Sequence, residues 1–591
     1  MKHKHTWLLI AALLALLVPS AVTAVEEGKE FTNSVEMGAA GMSVDDEVNK
    51  VNEYSTIRDD DGVNPYLKAR IEAHNEDINL DLDAKAMSNR DQTYDLEADY
   101  RRILRIDSSY DTLKHWLSHD QLDYMRATMK PVNTSSNPSV YSQDLVPGKD
   151  FYMIHKEFEI EGEVAIPGLP NVVLKTGFRE EQREGTEQAI SMSHCTACHV
   201  DGSAKNVDET TTDLTLGATG KFGMLTVDYE FLTRDFDDDS KELSRDYLEQ
   251  GKPFDGGFPT FPTPGGGTGS FNSRLLYAGD EYSYDSTPDS EKDSHTLKAR
   301  LDLDNSTVLS STYVSAEVES DKDNDVDNLY LSKDHISTDY DSYSMRGSTR
   351  LGNWKLSGYG RREEVDSSNN TLTFVNNAGA DVAASTERTT YESEDDRDIT
   401  TLGASAYYRF NRSTSMRLGY EYEDIDRDID TAMDTETNTL KASVRFRPTN
   451  KINTRISYKY QNIDDAFMAE HGNKGPTDET YSWPPADPAD KVWYGTDYYT
   501  QRLAEATNQP EDVHEVKLSA TWAPSSRYSV TVYNRYRYEE NDLNTNTYEK
   551  TSYSPGLTAW WAPVNDLNLT MAYNFNKQET ENQMCVGWYH G

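Results

Sequence analysis

Residues 191–200 read Ser-Met-Ser-His-Cys-Thr-Ala-Cys-His-Val and hold two of the three cysteines in a chain of 591 residues. Cys195, Cys198 and His199 stand in the Cys-x-x-Cys-His frame that attaches c-type haem. Two thiols add across the two vinyl groups of a porphyrin. Two intervening residues let one turn of backbone reach both, and the adjacent His199 then lies beneath the iron as its proximal ligand. Paired cysteines also serve redox exchange and zinc binding. A redox dithiol wants a βαβ setting, and zinc wants a second Cys/His pair at matching spacing; the sequence offers neither. The expected cofactor is one covalent haem c.

The sixth ligand is less constrained. His115 and His119 stand four apart within residues 110–125, which read as a short helix carrying Leu113, Trp116, Leu117 and Leu122. At that spacing both face one cofactor. His155, in Phe-Tyr-Met-Ile-His-Lys-Glu-Phe, is the third candidate and Met192 the fourth. His194 abuts Cys195, so it reaches only a neighbouring haem. Haem catalysis would need an open sixth position and a distal base, and no dedicated set is visible. Nor is there a Ser/His/Asp elbow, a phosphate loop or a His-Glu-x-x-His motif. The expected role is electron transfer or transport rather than enzymatic turnover.

These groups must be carried by something that leaves the cytoplasm. Lys2 and Lys4 precede an apolar run from Trp7 to Val18, and Val22-Thr23-Ala24 closes it with small residues. Residues 1–24 therefore read as a secretory signal peptide. No later stretch approaches the roughly 18 apolar residues of a membrane helix. The net charge of −44, from 102 acidic and 58 basic residues, argues against a nucleic-acid partner, because phosphate contact needs a cationic surface. Tyrosine outnumbers phenylalanine 37 to 16, which suits a lipid–water interface as well as sugar binding.

The second half alternates with period two. Ile452, Thr454, Ile456, Tyr458 and Tyr460 lie on one face of residues 451–461, with Asn453, Arg455, Ser457, Lys459 and Gln461 on the other. The same split recurs at 440–447 and 566–576. Such segments are strands with one apolar face. Their connections are unequal: Phe-Asn-Arg-Ser-Thr (410–414) and Arg-Pro-Thr-Asn-Lys (447–451) are tight turns, whereas 365–397, 424–436 and 463–510 are long and polar. Short turns at one end and long loops at the other mark a bacterial outer-membrane β-barrel with periplasmic turns and extracellular loops. Strand-like alternation at 66–86, 93–106, 151–183, 207–236 and 294–364 brings the expected count to roughly 20 strands or more. Residues 25–64 read as a periplasmic extension or plug, and 65–591 as the barrel, with a haem-attachment segment near 110–200. The 566–576 strand is owed a return strand. The weakly patterned 583–591, with the lone Cys585, suggests that the sequence stops short of its natural end. Asp321, Asp323, Asp325 and Asp327 are spaced as in a calcium loop, but Val326 and Ser332 stand where Gly and Glu belong, so the segment reads as a solvated tip.

Asn52, Glu53, Tyr54, Arg58 and Gly62 ahead of the first strand, and residues 183–199 ending in the haem frame, resemble the MtrB/PioB group, the outer-membrane barrels of porin–cytochrome conduits. The resemblance implies a barrel that sheathes a periplasmic or extracellular multihaem c-type cytochrome, so that electrons cross the outer membrane through it. Typical members are haem-free sheaths; this chain carries its own attachment frame. One haem cannot bridge a hydrocarbon core roughly 30 Å thick, so a partner must supply more. The inward Arg445, Arg447, Arg455, Lys459, Arg535 and Arg537 would hold an acidic or propionate-rich guest, or would hydrate a channel. The alternative is a diffusive porin with a haem-bearing periplasmic docking or sensing segment.

Overall fold

The computed structural model describes residues 30–42, 57, 63–88, 90–122, 141–193, 199–241, 243–246, 261–262, 268–269, 281–284, 287–303, 306–321, 335–368, 370–375, 388–393, 396–427, 434–464, 509–542 and 547–583. Among them there is no α-helix. One sheet of 23 strands dominates, each long strand pairing antiparallel with its neighbours in sequence. Leu567–Asn574 and Lys577–Gln583 both pair with Thr547–Val564 and form a single pass. Leaving aside the short Tyr141–Asp144, the sheet makes 21 passes. Among the described residues the end strands, Glu30–Gly41 and Leu567–Asn574, have one neighbour each. Unpaired edges are not tolerated in hydrocarbon, so the wall is that of a β-barrel. At ~4.8 Å between strands and a tilt near ~40°, 21 passes enclose a lumen roughly 40 Å across.

Period two runs through the whole wall. Leu440, Val444, Phe446, Ile456 and Tyr458 are exposed on the outer face, while Lys441, Arg445, Arg455 and Lys459 line the inner one. Trp354, Phe410, Trp522 and Trp561 stand exposed close to the tight-turn end, as an aromatic girdle does at a bilayer surface. The tight turns are built by short polar residues. Asn75 Oδ1 accepts from the amides of Asp77 (2.8 Å) and Ile78 (2.7 Å), and Asn411 does the same for Ser413 and Thr414. Arg101 and Arg102 both have positive φ, 54° and 56°. The turn is held by Arg101 donating to Asp77 at 2.9 and 3.0 Å and by the Arg102 amide donating to Asp99 at 2.9 Å.

Three tyrosines lie flat across glycines on the inner face. A Cβ on Gly38, Gly403 or Gly556 would meet the ring of Tyr66, Tyr359 or Tyr533 at 2.4, 2.3 and 2.1 Å. Each hydroxyl then donates to a further residue: Glu36 (2.7 Å), Glu421 and Asn574 respectively.

Three sequence expectations change. The reading of 25–64 as an extension misses a strand: Glu30–Gly41 pairs along its full length with Val63–His74, so the sheet begins at residue 30. Asn33, on the same face as Phe31, Val35 and Met37, breaks the apolar alternation and hides it. The short helix around His115 is instead the end of the strand Leu104–Leu117. The outward pass beginning at 567 continues to Gln583. The signal peptide, the Asn52–Gly62 motif, residues 322–334 of the aspartate loop and Cys585 lie outside the described residues.

Candidate functional site

Two strands outgrow the rest. Val172–Ser193 and His199–Phe222 run 22 and 24 residues, whereas their neighbours Phe151–Ala165 and Leu225–Asp238 run 15 and 14. Pairing with Phe151–Ala165 stops at Tyr152↔Thr186, and pairing with Leu225–Asp238 stops at Asp238↔Glu209. Beyond those rows the hairpin continues to Ser193↔His199, past both neighbouring wall strands, a projection of seven rows or roughly 24 Å. Cys195 and Cys198 fall in the link 194–198 at its tip, outside the described residues. His199 is the first residue of the returning strand, its backbone paired with Ser193 and, in parallel, with Tyr141.

The projection carries its own core. Phe151 and Met153 are 1% and 2% exposed, and Leu122, Ile154, Ala189, Val200 and Val207 are also buried. Gln188 clasps the incoming chain, accepting from the Asp120 amide (2.9 Å) and donating to the Asp120 carbonyl (2.7 Å). The strand Tyr141–Asp144 lies along residues 199–202, and the Leu145 amide donates to the Gly202 carbonyl at 2.9 Å.

The three candidate histidines gather on this part of the molecule. His115 pairs in register with Met153, Met153 with Gly185 and Gly185 with Val207. The His115 and His155 rings sit 5.1 Å apart. His115 Nε2 is buried with no hydrogen-bond partner. The row of His115 lies eight residues, roughly 27 Å, below the tip, and that of His155 two residues further. His119 comes nearer. Its Nδ1 donates to the Lys149 carbonyl, which can only accept, at 3.0 Å. Phe151 supports the ring edge-on at 4.7 Å. Nε2 approaches Asp144 Oδ2 at 3.0 Å, an ion pair when the ring is protonated, yet neither atom has a hydrogen-bond partner. Asp144 is in register with Gly202, three residues or roughly 10 Å from His199. An imidazole whose Nδ1 donates to a carbonyl is oriented as a second-shell hydrogen bond orients a haem ligand, and Nε2 could be offered to iron once turned from Asp144. The donors described here therefore fit an iron porphyrin. Among the described residues no group of three or more His, Cys, Asp or Glu could hold a bare metal ion.

Sequence reasoning singled out the basic lumenal residues and missed their counterpart. In the strands Ile78–Ser88, Asp91–Tyr100, Leu104–Leu117 and Phe151–Ala165, the odd-numbered residues face the lumen. They include Asp81 and Asp83; Asp91, Asp95, Glu97 and Asp99; Asp107 and Asp111; Glu157, Glu159, Glu161 and Glu163, against the cations Lys85 and Arg105. The strands Thr435–Thr449, Ile452–Asp464, Asp512–Ser525 and Tyr528–Asp542 reverse the balance. Lys441, Arg445, Arg447, Arg455, Lys459, Lys517, Arg535 and Arg537 face inward there, against Glu515 and Glu539. The missed signal is the recurrence of acids at odd positions, Asp81, Asp83, Asp91, Asp95, Glu97 and Asp99.

The strand order fixes which end of the barrel the hairpin tip occupies. Val172–Ser193 starts at the tight turn after Ala165, and His199–Phe222 ends at the tight turn before Leu225. The link 194–198 is therefore at the opposite end, with the long connections 239–289 and 465–511, which is the extracellular end of such a barrel.

No curated protein matches the sequence. Among solved structures the chain is similar to "Copper transporter OprC", at 8% identity over 92% of this chain and 73% of that one, with a TM-score of 0.46. It is also similar to the FrpB iron transporter from Neisseria meningitidis, at 8% identity, 94% and 77% coverage and a TM-score of 0.45. A third is the siderophore receptor PiuA from Acinetobacter baumannii, at 11% identity, 92% and 75% coverage and a TM-score of 0.41. The sequence matches the family described as outer membrane beta-barrel porin, MtrB/PioB, over residues 43–587. The chain belongs to the MtrB/PioB family of outer-membrane β-barrel porins.

Proposed function

We propose that this barrel carries one covalent haem c at Cys195, Cys198 and His199, sheathes a multihaem c-type cytochrome, and supports electron transfer across the outer membrane. The observation that carries the reading is the Cys-x-x-Cys-His frame in the link that caps the long projecting hairpin. When bound, an iron porphyrin supplies reversible one-electron chemistry. The protein's part is to hold and orient. The backbone pairing of His199 with Ser193 and Tyr141 anchors the proximal ligand on a three-stranded support. Lys149 orients the His119 ring through Nδ1, and Phe151 fixes its ring plane, so His119 is the preferred distal ligand. His115 and His155 lie too far down the wall for that role. A single site at the extracellular end leaves the ~30 Å hydrocarbon core to be crossed by the partner's haems. A haem held there would supply one-electron chemistry at the outer face of the barrel.

Purification from outer membranes, with haem staining and identification of co-eluting proteins, tests this. The expected result is a covalent haem mass on the barrel, lost in Cys195→Ser/Cys198→Ser, and a co-purifying multihaem cytochrome. His119→Ala should convert a low-spin spectrum to high-spin, and His115→Ala should not. Unmodified sulfurs in the wild type overturn the haem assignment. A barrel that purifies alone and conducts ions freely is a porin instead.

A further inference from the structure

We infer that the lumen is a bipolar socket that fixes the rotation of the protein it encloses: the guest turns a basic flank to the strands between 78 and 165 and an acidic flank to those between 435 and 542. This rests on the sheath reading above and adds an orientation to it.

The first support is where the charge sits. The acidic wall occupies passes three to six of the meander and the basic wall passes sixteen to nineteen. Their midpoints are separated by eight strands one way and thirteen the other, so they face each other across the bore. With a Debye length of about 8 Å at physiological salt, neither wall acts across a lumen roughly 40 Å wide. Each acts on the flank that touches it. A body that spans the bore meets both walls at once and is held in one rotation. Small ions answer each wall separately and couple nothing.

The second support is repulsion left in place. Like charges directly opposite in a sheet are destabilising. Asp83 faces Asp95, Glu97 faces Asp107, and Asp107 faces Glu161. On the other wall Lys441 faces Lys459, Arg445 faces Arg455, and Lys517 faces Arg535. The intervening sector avoids this. There Lys175 donates to Asp228 at 2.9 Å, Arg183 to Glu209 at 2.5 Å, and Arg234 to Asp213 at 2.6 and 2.8 Å. The two walls pair part of their charge internally, Arg105 with Asp99 and Glu163, Lys441 with Glu421, and Lys517 and Arg535 with Glu515, but each keeps an excess of one sign to be neutralised from outside. An oppositely charged guest surface does so.

The test uses the full chain in outer membranes. A photo-crosslinking residue is placed at Ser109 in the acidic wall or at Ser443 in the basic wall, and captured guest peptides are identified by mass spectrometry. The two sites should capture different peptides, net basic from Ser109 and net acidic from Ser443. Lys441→Glu/Arg455→Glu/Lys459→Glu should lower capture at Ser443 by about tenfold, in barrels that still show normal heat-modifiable migration. The same guest peptides at both sites, or capture indifferent to charge reversal, overturns the orientation and leaves the sheath standing. No guest captured at either site overturns the sheath reading and the orientation with it.

Discussion

The hairpin 172–222 and the hairpin 435–464 are both antiparallel pairs in one sheet, yet they are stabilised differently. The second is wall throughout: Leu440, Val444 and Ile456 are exposed, and only Thr439 is buried. Its apolar face is complete only in lipid. The first leaves the wall after Thr186 and enters water, where an isolated hairpin is marginal. There Phe151, Met153, Ala189 and Val207 are buried on one face and Val200 and Leu122 on the other, and the Gln188 clasp ties down the incoming segment. The contrast teaches that the projection is a small water-soluble unit built onto a membrane cylinder. Rigidity there serves whatever the tip holds.

Breaking that packing should separate the two regions. Phe151→Ala should cost about 3–5 kcal/mol locally, seen as protease sensitivity of residues 187–208 with heat-modifiable migration of the barrel unchanged. Loss of the whole barrel would show that the two are one cooperative unit. Gly185→Ala acts at the junction, where a Cβ would lie 2.2 Å from the Tyr152 carbonyl oxygen. It should cost about 1–3 kcal/mol, measured by the same digestion. Gln188→Ala removes both clasp bonds and should cost about 1–3 kcal/mol, detected as faster hydrogen exchange at Asp120 and Leu122. The smallest effect belongs to the wall's far end. The Arg101 guanidinium, by hydrogen bonding, holds the Asp77 carboxyl below its usual range. A lowered value stabilises the fold above the ordinary carboxylate pKa, and the gain is lost as pH falls through the depressed one. Asp77→Asn should therefore lower the melting midpoint slightly at neutral pH, a difference that disappears once the pH falls below the depressed value.

The wall was legible because each side chain there answers to one solvent. Residues 440–447 and 451–461 alternate cleanly between lipid and water, and the structure follows them. The base of the projection was not. Leu113 and Leu117 share a face with Phe151 and Met153, while Trp116 and Tyr152 lie on the other face and flank Lys114, whose ammonium is 3.5 and 4.0 Å from their rings. With apolar residues on both faces, period two vanishes, and the segment imitates a helix. The strand ends at Leu117, so His115 sits on it and His119 lies past its end, where the four-residue spacing no longer sets a shared face. The acidic wall needed the register. Scattered carboxylates at 81–99 and 157–163 become one surface only when strands are aligned.

The flattened tyrosines bear on the order in which such an assembly is built. Tyr66, Tyr359 and Tyr533 would be among the bulkiest inward side chains, yet each lies down over a glycine and is tethered by its hydroxyl. They thicken the wall instead of narrowing the passage. A tube made first and filled afterwards needs such clearance along its length, and a glycine-to-alanine change at residue 38, 403 or 556 would raise an obstacle in the path of whatever slides in.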